Sequence, residues 1–285
     1  MISFMRLQPI TKEKEKSMNV VIVGYGHVGK SVDEMLTKTK AINLKIGIYD
    51  KDPSKSTIDG IDSKEPSIVF ICVPTPSRYD GSCVIFAVEE SIKLIKNDPL
   101  IIIKSTIPPG TTDRLRVKYN KRIVFSPEYI GESAYWSPID FEKNMSDTPF
   151  VIVGGDLADV EEAIDFFARI GGPYKKYFRT DAKTAELVKY WVNSFYATKV
   201  TFCNEMFEIC KKFGVNFYEA RDLWLNDERV ARGHTMVFKD KRGYSGKCFP
   251  KDIKALVAFS DAYGYDASLL QQVIKSNEGF LEKNK

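Results

Sequence analysis

Long apolar runs are missing from this chain of 285 residues. The best one, 67–73 (Ser-Ile-Val-Phe-Ile-Cys-Val), is strand-sized, against the roughly 20 residues that a membrane-spanning helix needs. No membrane partner is therefore expected. Charge of one sign is missing too: 42 Lys and Arg stand against 38 Asp and Glu, a net charge of +4. That excess is too small to imply nucleic-acid binding. Histidine is scarce, with only His27 and His234. The scarcity disfavours histidine-built metal centres and Ser-His hydrolases. Five cysteines, at 72, 83, 203, 210 and 248, form no CxxC pair. Neither a disulfide framework nor a zinc site is expected, and Cys72, Cys203 and Cys210 read as inert core thiols. No apolar leader opens the chain. Residues 1–17, with the charged run Lys12-Glu-Lys-Glu-Lys16, read as a flexible extension. Free thiols and no leader together predict a cytoplasmic location.

What is present is an alternation. Short apolar runs at 20–23, 45–49, 67–73, 100–104, 123–125, 150–153 and 174–178 read as strands. Helical patterns at 27–38, 86–96 and 157–169 fall between them. This predicts an α/β fold with a mostly parallel sheet covered on both faces. From 181 the character changes. No proline or glycine interrupts the chain up to Gly214, and Leu187, Trp191, Phe195, Val200, Phe202, Met206 and Ile209 read as one long, largely buried helix. Shorter helices are expected at 217–225, 250–263 and 268–280. The predicted division is a Rossmann-like, NAD-binding domain over 18–180 and an all-helical dimerisation domain over 181–285. A homodimer through the helix 181–213 is expected.

Gly24-Tyr-Gly-His-Val-Gly29 follows the first strand and opens the first helix, which is the context a dinucleotide-binding turn requires. Gly24 permits the turn, Gly26 lets backbone approach a pyrophosphate, and Gly29 lets helix pack on strand. Asp50 ends the second strand, where a carboxylate accepts ribose hydroxyls and repels a 2′-phosphate; NAD is expected over NADP. Val73-Pro-Thr-Pro76 and Lys104-Ser-Thr106 close later strands at the ligand-binding edge of such a sheet. Ser126-Pro-Glu128 and Glu132 follow another. Lys189 and Asn193, four apart, share a helix face. In Cys248-Phe-Pro-Lys-Asp252, Pro250 suits a first helical turn. Cys248 then sits at a helix N-terminus near Lys247 and Lys251, a setting that favours a nucleophilic thiolate.

In this order, the motifs resemble the UDP-glucose/GDP-mannose dehydrogenase family, of the UDP-glucose 6-dehydrogenase kind. The resemblance implies oxidation of the C6 alcohol of a nucleotide sugar to a carboxylate, with NAD as cofactor. It implies that Cys248 forms a thioester, that Lys189 and Asn193 stabilise an oxyanion, and that Thr106, Glu128 and Asp252 hold and activate water. Glu128, Lys189, Asn193 and Arg229 are then substrate contacts. Gly24, Gly26, Val28, Gly29, Asp50, Val73, Pro74, Thr75, Thr106 and Glu132 are the implied cofactor contacts. Family members continue into a second nucleotide-binding domain, and the resemblance leads us to expect a short form lacking it. Ser245 replaces a glycine usual before the cysteine, and strain is expected there if positive φ is needed. Two other readings remain open: an NAD-binding dimer without turnover, and a two-electron β-hydroxyacid dehydrogenase, which has no need of Cys248.

Overall fold

The computed structural model describes residues 17–39, 41–131 and 145–284. Residues 1–16 of the expected extension, and Glu132, lie outside the described residues. Seven strands are present: β1 Met18–Val23, β2 Leu44–Tyr49, β3 Ile68–Ile71, β4 Leu100–Ile103, β5 Ile123–Phe125, β6 Phe150–Gly155 and β7 Lys176–Thr180. They form one sheet in the order β2-β1-β3-β4-β5-β6-β7. Every pairing is parallel except β5 with β6. The fold is the expected Rossmann-like one.

Alternate residues of the strands face opposite layers, as the pleat requires. Val20, Ile22, Phe70, Ile102 and Val124 pack under α1 (His27–Lys38) and α4 (Leu157–Gly171). Val21, Val23, Val69, Ile71, Ile101, Ile103 and Phe125 pack under α2 (Phe86–Leu94) and α3 (Thr111–Tyr119). Both faces are covered, which explains why the strands read as unbroken apolar runs. Helix α3 has no counterpart among the expected helices. It is mostly charged and polar, and its buried residues are Thr111, Thr112 and Leu115.

The long helix is α5, Ala182–Phe213. Asp181 caps its start, accepting from the Thr184 N–H at 2.8 Å, and Gly214 in the left-handed region ends it. Then come α6 (Phe217–Trp224), α7 (Phe249–Ala262) and α8 (Ser268–Glu282). Helix α5 departs from the expectation of a largely buried helix. Its buried face is unusually polar, with Glu186, Lys189, Asn193, Ser194, Thr201 and Asn204 among small or tyrosine side chains. Leu187, Trp191, Phe195, Phe202, Ile209 and Phe213 are exposed. At 3.6 residues per turn they fall in one stripe about 80° wide. The strain expected at Ser245 is also absent: Gly243 and Gly246 take the positive φ values in that loop, and Ser245 does not.

Glu186 joins the helical part to the sheet. Its side chain is fully buried, and Oε2 accepts from Gly110 N–H at 2.5 Å. Oε1 accepts from the Thr112 N–H at 2.8 Å and the Thr112 hydroxyl at 2.6 Å. Gly110 and Thr112 open α3, so a residue of one helix supplies the cap of another. Burial pushes the Glu186 carboxyl up to about 7, although these three hydrogen bonds pull it down. Because that value lies above the ordinary 4.5, the folded protein holds a proton that the unfolded chain releases. The resulting stability is complete below pH 4.5 and declines as the pH rises towards 7. Urea denaturation across this window should show wild type losing stability relative to Glu186→Gln as pH rises. Glu186→Ala, which strands the donors of α3, should cost about 2–4 kcal/mol at the acid end of that window.

Candidate active site

The glycine turn has the geometry its sequence predicts. Gly24 has φ +90°, and a Cβ there would lie 2.9 Å from the Cys72 carbonyl oxygen. A Cβ on Gly29 would lie 2.0 Å from the Gly24 carbonyl oxygen, so neither position accepts a side chain. Gly26 meets nothing within 4 Å and is exposed, which leaves an open cradle at the N-terminus of α1. Asp50 turns towards it, accepting from Tyr25 N–H at 2.6 Å and from Asp52 N–H at 2.9 Å. Two lone pairs of that carboxylate stay available for a ribose diol. These residues fit a dinucleotide: backbone N–H groups at a helix N-terminus for the pyrophosphate, and an acid for the ribose. Val28 is half-buried on the first turn of α1. Val73, Pro74 and Thr75 follow β3, and Thr106 follows β4, all at the C-terminal edge of the sheet.

A second group of residues meets at the same edge. Lys189 of α5 reaches the segment after β5, donating to the Glu128 carbonyl at 2.6 Å and pairing with Glu128 Oε1 at 3.1 Å. Glu128 Oε2 accepts from the Ile130 N–H at 3.0 Å. One turn further along α5, Asn193 donates to Asp252 Oδ2 at 2.5 Å. Asp252, on the first turn of α7, accepts from Lys251 through its other oxygen at 2.5 Å. Cys248 is the N-cap residue of α7, half-buried, with Pro250 in the first turn as predicted. Burial alone would lower the pKa of Lys189. The charges of Glu128, Asp252 and Cys248 outweigh it and raise the value. Glu128, Lys189, Asn193 and Asp252 thus form one buried cluster, with the half-buried Cys248 at its side. Asn193 uses one amide N–H on Asp252 and retains the other.

Arg229 stands apart. Its side chain is 89% exposed and folds back on Asp227 of its own turn. Cys72 and Cys203 are buried as expected, and desolvation pushes their thiols up to about 12 and about 11. Cys210 is only half-buried. Sequence reasoning named Lys104 as the start of a motif and gave it no role of its own. It is 4% exposed and donates to the Ser126 hydroxyl at 2.9 Å, beside the Phe167 ring. Burial lowers its pKa to about 8. The signal was a single lysine ending an apolar strand. Among the described residues, no helix is long and apolar enough to cross a membrane.

The NAD binding domain of the UDP-glucose/GDP-mannose dehydrogenase family matches residues 57–164, and the family's central domain matches residues 183–279. The glycine turn lies upstream of both matches. UDP-glucose 6-dehydrogenase of Rickettsia typhi is 33% identical, over 90% of this chain and 63% of that protein. The chain therefore spans less than two thirds of that relative's length. The structure of a UDP-glucose dehydrogenase from Pyrobaculum islandicum superposes with a TM-score of 0.75 at 25% identity, covering 96% of this chain and 70% of that one. A 3-hydroxyisobutyrate dehydrogenase from Mycobacterium tuberculosis shares the fold alone, with a TM-score of 0.69 at 16% identity, covering 93% of this chain and 94% of that one. Two domain models of one family, in order and together spanning most of the chain, settle its kinship. The chain belongs to the UDP-glucose/GDP-mannose dehydrogenase family.

Proposed function

We propose that this chain oxidises the C6 alcohol of a nucleotide sugar, of the UDP-glucose kind, to a carboxylate through a thioester on Cys248. The observation that carries the reading is the Glu128–Lys189–Asn193–Asp252 cluster around the N-terminus of α7, where Cys248 sits. The Rickettsia typhi relative is named for UDP-glucose, which supports that substrate class. Gly24, Gly26, Val28, Gly29, Asp50, Val73, Pro74, Thr75 and Thr106 would hold NAD, and two NAD molecules in turn would accept one hydride each.

The chain's own residues do the rest. The Cys248 sulfur adds to the carbonyl carbon of the aldehyde stage, and the carbonyl oxygen takes the negative charge. Lys189, kept protonated by its acidic neighbours, and the free amide N–H of Asn193 stabilise that oxygen. Loss of hydride leaves the acyl group on sulfur as a thioester. Glu128, Asp252 and Thr106 orient water, and a carboxylate takes its proton as it attacks the acyl carbon. The C–S bond breaks, releasing the acid and the thiolate. A two-electron hydroxyacid oxidation would leave Cys248 without a task.

The exposed stripe on α5 supports a homodimer. Trp191 is 67% exposed, Phe195 57% and Phe213 80%, and Phe202 packs its ring on Trp224 of α6 beside them. A second copy of the helix would cover this surface. Arg229, pointing outwards, is assigned to substrate contact across that dimer.

Purified protein given NAD and UDP-glucose should yield two NADH per sugar and a carboxylate, measured by absorbance and product mass. One NADH per substrate, or none despite NAD binding, would refute the mechanism. Cys248→Ser should lower acid formation by at least about 10³-fold while NAD affinity stays within about twofold. Trp191→Asp with Phe195→Asp should shift the mass seen in multi-angle light scattering from dimer to monomer.

A further inference from the structure

The connection after β3 is built rather than loose. Val84 N–H donates to the Pro76 carbonyl at 2.8 Å, Arg78 N–H to the Ser82 carbonyl at 2.8 Å, and Ser77 bridges Cys83. Asp80 closes the turn, accepting from the Ser82 N–H at 2.9 Å and its hydroxyl at 2.6 Å. The result is a tight hairpin over 76–84. Its tip rests on α7. Gly81 has φ +84°, and a Cβ there would lie 3.2 Å from the Lys254 carbonyl oxygen and 3.3 Å from the Lys254 Cβ. Its root lies between the sheet and the helical part. Cys83 Sγ is 3.6 Å from the Thr106 carbonyl oxygen and 4.0 Å from that of Thr75. Lys251 and Asp252 of α7 act on it electrostatically, and the Tyr190 phenol of α5 faces it. Tyr190 is 1% exposed, and its Oη has no hydrogen-bond partner among the described residues. Burial pushes the Cys83 thiol up, so it remains a neutral donor and no nucleophile.

We propose that the hairpin 76–84 is a positioning element that fixes α7, and with it Cys248 and Asp252, against the Thr106 loop. Cys83 is the positioning residue at its root and Gly81 the one at its tip. The proposal rests on the oxidation assigned above. The Cys83 S–H donates to the Thr106 carbonyl, and the buried Tyr190 phenol of α5 lies on its other side. The β3 connection, the β4 connection and α5 thereby meet at one atom. The two residues of hairpin from Cys83 back to Gly81 then carry that reference point to Lys254, two residues past Asp252 on α7. The physical need is plain: a misplacement of about 1 Å at a reacting group costs about 100-fold in rate. Neither residue touches the reacting atoms.

The test compares wild type, Cys83→Ala, Cys83→Ser and Gly81→Ala. Each is followed by kcat, KM for the nucleotide sugar, NAD dissociation constant and melting temperature. A fifth reading does not depend on turnover: the rate at which iodoacetamide alkylates Cys248, located by peptide mass. Cys83→Ala and Gly81→Ala should lower kcat about tenfold or more, with KM and NAD affinity within about twofold. Cys248 alkylation should change about threefold or more in both, and Cys83→Ser, which restores a donor, should recover part of each effect. Unchanged kcat and unchanged alkylation in Cys83→Ala and Gly81→Ala would overturn the proposal. So would losses that track only melting temperature and NAD affinity. If Gly81→Ala fails to fold, the two Cys83 variants decide. If wild type shows no turnover, the functional reading fails. Cys248 alkylation then decides the hairpin alone: a changed rate upholds it and an unchanged rate overturns it.

Discussion

The register of α5 against the sheet is the constraint on which the site depends. Glu186 fixes that register through three hydrogen bonds to the start of α3. A helix advances about 1.5 Å and turns about 100° per residue. Once Glu186 is fixed, Lys189 one turn on has a single place to go, and Asn193 one turn beyond that has another. Lys189 arrives at Glu128 and Asn193 at Asp252. A slip of one residue would swing both side chains to a different side and leave a buried carboxylate without donors. The first turns of α5 also lie tight on the sheet: a Cβ on Gly154 of β6 would come within 2.6 Å of the Ala185 Cβ. Steric contact and hydrogen bonding therefore agree on one register.

The electrostatics of the cluster point to chemistry rather than to stability. Lys104, Glu128, Lys189 and Asp252 are each under 9% exposed. Removing ionised groups from water costs several kcal/mol apiece, which pairing repays only in part. An apolar core in their place would hold the fold at least as well. Instead Glu128 and Asp252 gather around Lys189 near the N-terminus of α7. Lys189 is held charged by three acidic neighbours despite burial. The same desolvation lowers Lys104, which has a hydroxyl rather than a carboxylate at its head. Environment, and not residue type, separates the two lysines.

Helix α5 is inverted relative to an ordinary surface helix, with its polar residues inside and its large apolar residues outside. The inside is polar because Glu186 caps α3, Lys189 and Asn193 reach Glu128 and Asp252, and Asn204 accepts from Arg242. The outside is apolar along a narrow stripe, which in an isolated chain would leave aromatic surface against water. Both features follow from one helix that serves two surfaces at once. Reading the apolar residues without the fold suggests burial on every side, which is why the sequence pattern alone misjudges this element.

The sequence by itself determined the local features. The glycine turn, the apolar strand runs, the limits of α5 between Asp181 and Gly214, and the placing of Cys248 before a proline-led helix are all written in consecutive residues. Chain geometry needs no distant partner to enforce them. Tertiary structure alone decided the rest. Helix α3 escapes sequence reading because its apolar content is low and its cap comes from Glu186, 74 residues beyond Thr112. The antiparallel turn of β6 has no signature in the strand itself. Lys189 and Glu128 are 61 residues apart, and Asn193 and Asp252 are 59 apart. Their motifs could be recognised singly, but only the packing of α5 between the sheet edge and α7 makes them neighbours. Which buried donor meets which acceptor is set by that packing, because the cost of an unpaired polar group is felt only once water has been excluded.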